Sequence, residues 1–117
     1  MLTILIDPFQ NQITEEEITQ DYKDLYKLLD CEMFDAIRIN DQRDSVFIDD
    51  EGLYKPDQQF FMIEGYPQPL AGKGLIIGSN EAGESQPPKI TLQEARDSII
   101  FLSPLQVLAW SRNHPDF

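Results

Sequence analysis

The stretch from Gly65 to Glu84, GYPQPLAGKGLIIGSNEAGE, constrains the fold more than any other part of the chain. Its short apolar run, Leu75 to Ile77, is preceded by Gly65, Pro67, Pro69, Gly72 and Gly74 and closed by Gly78. An apolar run with breakers on both sides describes a buried strand entered and left through tight backbone turns. Gly72-Lys73 invites comparison with a phosphate-binding loop. Gly65 stands too far ahead of Gly72 for that motif, however, and Gly74 occupies the place where Ser or Thr would hold magnesium. The stretch is therefore architectural first.

A chain of 117 residues with 41% hydrophobic and 26% charged content suits one compact core and excludes global disorder. Met1 to Ile6 carries no basic residue ahead of its apolar positions, and Asp7-Pro8 ends the run far short of a secretory or membrane-spanning segment. A cytoplasmic chain without membrane association is expected. Cys31 is the only cysteine, which excludes an internal disulfide and a multi-thiolate zinc site. Its neighbours Asp30 and Glu32 disfavour a thiolate, so Cys31 reads as structural.

Along the chain, Leu2, Ile4 and Ile6 alternate as in a strand with one buried face, and a turn at Pro8 to Gln12 returns the chain through Ile13 to Thr19 as a hairpin. Tyr22, Leu25, Tyr26 and Leu29 then fall on one side of a helix, with Asp21 and Asp24 at its positive end. Phe34 to Asn40 and Val46 to Ile48 form a second hairpin, ended by Asp49-Asp50-Glu51-Gly52. Leu53 to Gln58 reads as a loop. Phe60 to Ile63 and Leu75 to Ile77 are short apolar strands suited to central positions. Thr91-Leu-Gln-Glu94 has the form of a capping box, which predicts a helix from Thr91 to Leu102 with Leu92, Ala95, Ile99 and Leu102 as its stripe. Ser103-Pro104 opens a short terminal helix over Leu105 to Ser111, and Asn113 to Phe117 reads as a frayed end. The expected fold is α+β: a mostly antiparallel sheet of five to six short strands packed by two helices. Residues 1–102 form the domain, and 103–117 an appended helical segment and tail.

The order of elements and their punctuation has a precedent. Ile6-Asp7-Pro8, the hairpin end Ile48 to Leu53, the run Pro69 to Gly78 and Asn80 to Glu84 resemble a family of small uncharacterised proteins carried by phages, plasmids and their bacterial hosts. The resemblance extends over residues 1 to about 102. It implies no activity, cofactor or catalytic residue, and Ser103 to Phe117 lies outside it.

The net charge of −12 is unevenly spread. Residues 1–57 hold 15 acids and 5 bases, whereas residues 58–117 hold 6 acids and 4 bases. Such a field repels nucleic acid and anionic membranes and steers basic partners in a salt-dependent way, so direct nucleic-acid binding is not expected. The candidate partner-binding acids are Glu15, Glu16, Glu17, Asp49, Asp50 and Glu51. Asp41 and Asp44 would add oxygen ligands for magnesium if both ends of the second hairpin converged. EF-hand spacing is absent and turn propensity explains these acids, so no metal site is assigned. His114, the sole histidine, lies beside Pro115 near the chain end, and no serine sits in a nucleophile elbow.

Three classes of function remain, and no catalytic residue or cofactor is assigned in any. The favoured one is a non-enzymatic interaction or regulatory factor of mobile-element type whose acids engage a basic protein surface, with imitation of nucleic acid as its sharpest form. The alternatives are a small-ligand binder using the 65–74 loop, with Tyr66, Gly72 and Lys73 shaping the pocket, and a metal-dependent enzyme built on carboxylates. Leu105, Val107, Leu108 and Trp110 are too apolar for an exposed tail. That segment either docks on its own domain or makes a homodimer through Leu105, Leu108 and Trp110.

Overall fold

A computed structural model describes residues 1–115. The fold is α+β and every strand pairing is antiparallel. Strands β1 (Leu2–Asp7), β2 (Gln12–Glu17), β3 (Phe34–Arg38), β4 (Asp44–Asp49) and β7 (Gly74–Ser79) run in the order β2-β1-β7-β4-β3, and the short β8 (Ser85–Gln86) adds to β7. A second sheet has the order β6-β5-β9, from Leu70–Ala71, Phe60–Ile63 and Ile99–Leu102. Three α-helices complete the described residues: α1 (Tyr22–Leu29), α2 (Leu92–Ser98) and α3 (Pro104–Arg112).

Both expected hairpins form. In the first, the Asp7 carboxylate accepts from the backbone N–H of Phe9 at 3.0 Å and of Gln10 at 3.3 Å, and Asn11 takes φ 53°. An aspartate turn followed by a left-handed residue reverses the chain without glycine. Asp21 caps α1 by accepting from the Lys23 N–H at 3.0 Å. At the other end Asp30 adopts φ 51°, and its N–H and that of Cys31 return to the carbonyls of Lys27 and Tyr26. This paired closure turns the chain into β3.

β7 is the middle of the large sheet, so its alternate side chains enter two different cores. Ile76 joins Ile4, Ile6, Val46, Phe61, Ile63 and Ala95 on one side, whereas Leu75 and Ile77 meet Ile18, Leu25 and Leu29 under α1 on the other. The ring of Phe61 crosses so close to β7 that a Cβ at Gly74 would lie 2.7 Å from its Cζ. Gly65 turns the chain after β5 at φ 98°, where any Cβ would collide with the Ile39 carbonyl. The glycines of the central stretch thus serve close packing as well as turns.

The helix expected over Thr91 to Leu102 is shorter. Its capping box is present, with Glu94 N–H to Thr91 Oγ1 at 3.1 Å and Thr91 N–H to Glu94 Oε1 at 3.1 Å. The helix stops at Ser98, and Ile99–Leu102 pairs with β5 as β9, Ile63 opposite Ile99 and Phe60 opposite Leu102. Four consecutive large apolar residues including two isoleucines suit a pleated surface, and β5 offers its open edge. Gly52–Tyr54 makes a turn of 3₁₀ helix that enters the expected 53–58 loop, and β6 and β8 are strands of two residues each. Ser103 and Gln106 form a second capping box for α3.

α3 lies against the small sheet. Val107 is buried with Phe60 and Ala71, and Leu102 packs beside them. In the end expected to fray, the His114 ring stacks on Trp110 at 3.8 Å, and its Nδ1–H donates to the Trp110 carbonyl at 2.8 Å. Residues 116–117 of that expected end lie outside the described residues. No helix among the described residues is long and apolar enough to cross a membrane.

Candidate functional site

One face of the large sheet is only partly covered. The eight-residue α1 runs along the strands, its start near Ile77 and Ser85 and its end near Asp49 and Lys73, so one short helix has to cover a sheet about 19 Å wide. Leu25 and Leu29 bury the middle of that face. Beside the helix an open trough remains, formed by two adjoining cavities of about 230 and 420 Å³ that share Tyr22, Phe47, Ile77, Gly83 and Ser85 in their walls.

The trough is aromatic. Phe34 from β3 stacks on Tyr22 at 5.9 Å and 23°, meets Tyr26 at 5.2 Å, and contacts Phe47 of β4 at 5.5 Å. Helical spacing puts Tyr22 and Tyr26 on one side of α1, and strand alternation puts Phe47 on the helix-facing side of β4 opposite the buried Val46. Tyr22 is 64% exposed, so its ring is largely open to solvent. Asp21 and Glu84 stand at one end with Met1, whose ammonium is paired with Glu17 at 3.0 Å, and among the described residues no Lys, Arg or His side chain lines the trough.

Tyr26 also borders a third cavity, of about 370 Å³, lined by Asp30, Cys31, Glu32, Asp49, Glu51 and Lys55. Its geometry turns on Asp49. This buried carboxylate accepts the Glu51 N–H at 2.9 Å and pairs with Lys55 Nζ at 2.5 Å, while Lys55 also donates to the Asp30 carbonyl at 2.8 Å. The hydrogen bond to Asp49 holds the Lys55 ammonium above its ordinary value, and the Asp49 and Asp30 charges add to this. Burial and then the Asp49 charge push the Cys31 thiol up. The direction matches the sequence expectation, but the acid that matters most is Asp49 and not the chain neighbours. Lys55 is thus committed to Asp49, leaving Asp30, Glu32 and Glu51 as unneutralised charge around the opening.

The six acids singled out from the sequence occupy opposite parts of the large sheet. Glu15, Glu16 and Glu17 lie on β2, an edge strand, where alternation sends Glu15 and Glu17 to one face and Glu16 to the other. Asp49 to Glu51 lie at the end of β4, with Asp49 turned inward and Asp50 and Glu51 exposed. In the glycine and proline loop, Tyr66 is half-buried against the main core and donates to Gln68 Oε1 at 3.4 Å. It lines one small cavity, whereas Gly72 and Lys73 line another beside Phe9 and Gln58. On α3, Leu105 and Leu108 are exposed and Trp110 is half-buried.

The two ends of the second hairpin do not converge. Asp44 begins β4 and Asp49 ends it, about 17 Å apart at the rise of an antiparallel strand. Asp44 is fully buried, and its oxygens accept from Lys89 N–H at 2.9 Å, Ile90 N–H at 2.9 Å and Asn40 Nδ2 at 3.0 Å. It ties the segment before α2 to the sheet. Among the described residues no group of three or more His, Cys, Asp or Glu is placed to hold a metal ion.

Phe34 and Phe47, which wall this trough with Tyr22 and Tyr26, are not among the site residues expected from the sequence. An aromatic at matching strand positions opposite a short helix is a usable signal, but only once α1 is known to sit above β4 and β3.

The molecule is thus a small antiparallel α+β domain with an aromatic trough and an acidic cavity that share Tyr26 as a wall. The model of the family described as a domain of unknown function (DUF3846) matches residues 1–97, and the chain belongs to that family. It is similar to the uncharacterized protein y4iR of Sinorhizobium fredii, 34% identical over 71 residues, covering 61% of this chain and 44% of that protein. It is also similar to protein PsiB of Rhizobium leguminosarum bv. phaseoli, 32% identical over 68 residues, covering 58% of this chain and 50% of the relative. The match thus spans about half the length of these curated relatives. No solved structure matches.

Proposed function

We propose that this chain is a non-enzymatic interaction or regulatory factor whose acidic surface engages a basic protein surface. The observation that carries this reading is the convergence of Asp30, Glu32, Asp49 and Glu51 on one open cavity whose single base, Lys55, is already bound to Asp49. Excess negative charge around a concave opening concentrates cationic partners and raises their association rate, an effect that weakens with salt. The half-open aromatic trough beside it supplies apolar area of the kind found at protein contacts.

The resemblance to proteins carried by phages and plasmids supports an accessory role of mobile-element type, and the single cysteine suits the reducing cytoplasm as its place of action. We also propose a homodimer, using Leu105 and Leu108, which α3 leaves exposed while Val107 docks on the small sheet.

The interaction is tested by capture from nuclease-treated host lysate, comparing the native chain with a variant carrying E32Q, D50N and E51Q. A basic protein retained at low salt, released at high salt and lost from the variant is the expected result. Equal recovery on both chains, or none on either, contradicts it.

A further inference from the structure

We propose that the trough beside α1 holds an extended, arginine-bearing segment of the basic partner; the proposal rests on the acidic interaction function proposed above. The trough crosses the sheet. One cavity begins at Met1 and Ile18, beside β1 and β2, and the other ends at Ser45 and Phe34, on β4 and β3. With the strand order β2-β1-β7-β4-β3, that path is about 19 Å long, room for roughly five or six extended residues. A single small molecule does not need a groove of that length.

The chemistry of the walls selects the side chain. Tyr22, Tyr26, Phe34 and Phe47 present aromatic surface, and the Tyr22 and Phe34 rings lie nearly parallel at 23°. Asp21 and Glu84 stand at one end, where the Met1 ammonium is already paired with Glu17, and Asp30, Glu32 and Glu51 line the neighbouring cavity across Tyr26. Arginine combines a planar guanidinium that stacks on aromatic faces with donors that fork onto carboxylates, whereas the compact, strongly hydrated lysine ammonium does the first poorly. Apolar stems of either residue gain from the trough equally. Preference for arginine over lysine is therefore the signature that separates stacking in the trough from simple attraction to net charge.

The test uses two fluorescein-labelled nine-residue peptides in which arginine or lysine alternates with glycine and serine, titrated by anisotropy at low salt. The arginine peptide is expected to bind at least about tenfold more tightly than the lysine peptide. Tyr22→Ala, at a largely exposed position, and Phe34→Leu, which keeps apolar bulk but removes the ring, are each expected to erase that preference. Glu64→Gln with Asp97→Asn, both exposed and outside the walls of the trough, is expected to leave it intact. Equal affinity for both peptides, lost with E32Q and E51Q but indifferent to Tyr22→Ala, overturns the trough proposal and leaves the acidic interaction standing. Binding of neither peptide at low salt overturns both.

Discussion

Asp44 is a carboxylate with no solvent exposure, and its environment explains how the chain tolerates it. Three donors surround it, two of them backbone N–H groups at Lys89 and Ile90, more than forty residues away in sequence. Removing the acceptor leaves buried donors unpaired, which costs more than the bond itself contributes. Asp44→Ala is expected to lower the unfolding free energy by about 3 kcal/mol in urea denaturation, and a loss near zero would contradict this role. The Lys55 pair has a pH signature. Because Lys55 is raised above its ordinary 10.5, its contribution is fully present below that value and is lost as pH rises through the higher folded value. Lys55→Met is therefore expected to be less stable than the native chain at neutral pH, by about 1 kcal/mol for so exposed a lysine. The difference is expected to shrink only above pH 10.5; a constant difference across that range would exclude the pair as its source. Cys31, with its thiol pushed up, is expected to alkylate more slowly with iodoacetamide at neutral pH than free cysteine.

At the scale of elements, legibility followed periodicity. The first hairpin, α1 and the capping box at Thr91 were readable because local chemistry decides them: an aspartate turn, an i, i+3, i+4 stripe and reciprocal caps. β9 was not, because Ile99 to Leu102 follows a genuine helix start, and Ala95 to Ile99 to Leu102 fits helical spacing as well as Ile99 to Leu102 fits a strand. What decides is the open edge of β5, a partner distant in sequence. The strand assignment has a direct consequence: Ile99 is buried and its neighbour Ile100 is 58% exposed. Ile99→Ala is expected to cost about 2 to 4 kcal/mol, whereas Ile100→Lys is expected to stay within about 0.5 kcal/mol. Similar costs at both positions would contradict the alternation. The aromatic trough was illegible for the same reason. Its rings come from α1, β3 and β4, and nothing local states that a helix of eight residues leaves β4 half-covered.

Across the whole molecule, the charge asymmetry of the sequence becomes an asymmetry in space. Residues 1–57, with 15 acids and 5 bases, build α1 and four strands of the large sheet, while the small sheet, α2 and α3 come from the less charged remainder. The acids nevertheless split between the β2 edge and the far end of β4, a division no charge count reveals. The C-terminal segment bridges the expected boundary at residue 102 through Val107. Truncation after Leu102 is expected to expose Phe60 and Ala71 and to lower stability while leaving the large sheet formed, read by thermal unfolding and circular dichroism. Unchanged stability would show that α3 contributes no packing. The most direct test of the proposed interaction is a chemical-shift titration of the ¹⁵N-labelled chain with the arginine peptide at low and high salt. Salt-sensitive shifts gathered at Tyr22, Tyr26, Glu32, Phe34, Phe47 and Glu51 are the expected result. Shifts confined to Glu15 to Glu17 or to the Tyr66 to Lys73 loop, or none at all, would contradict it.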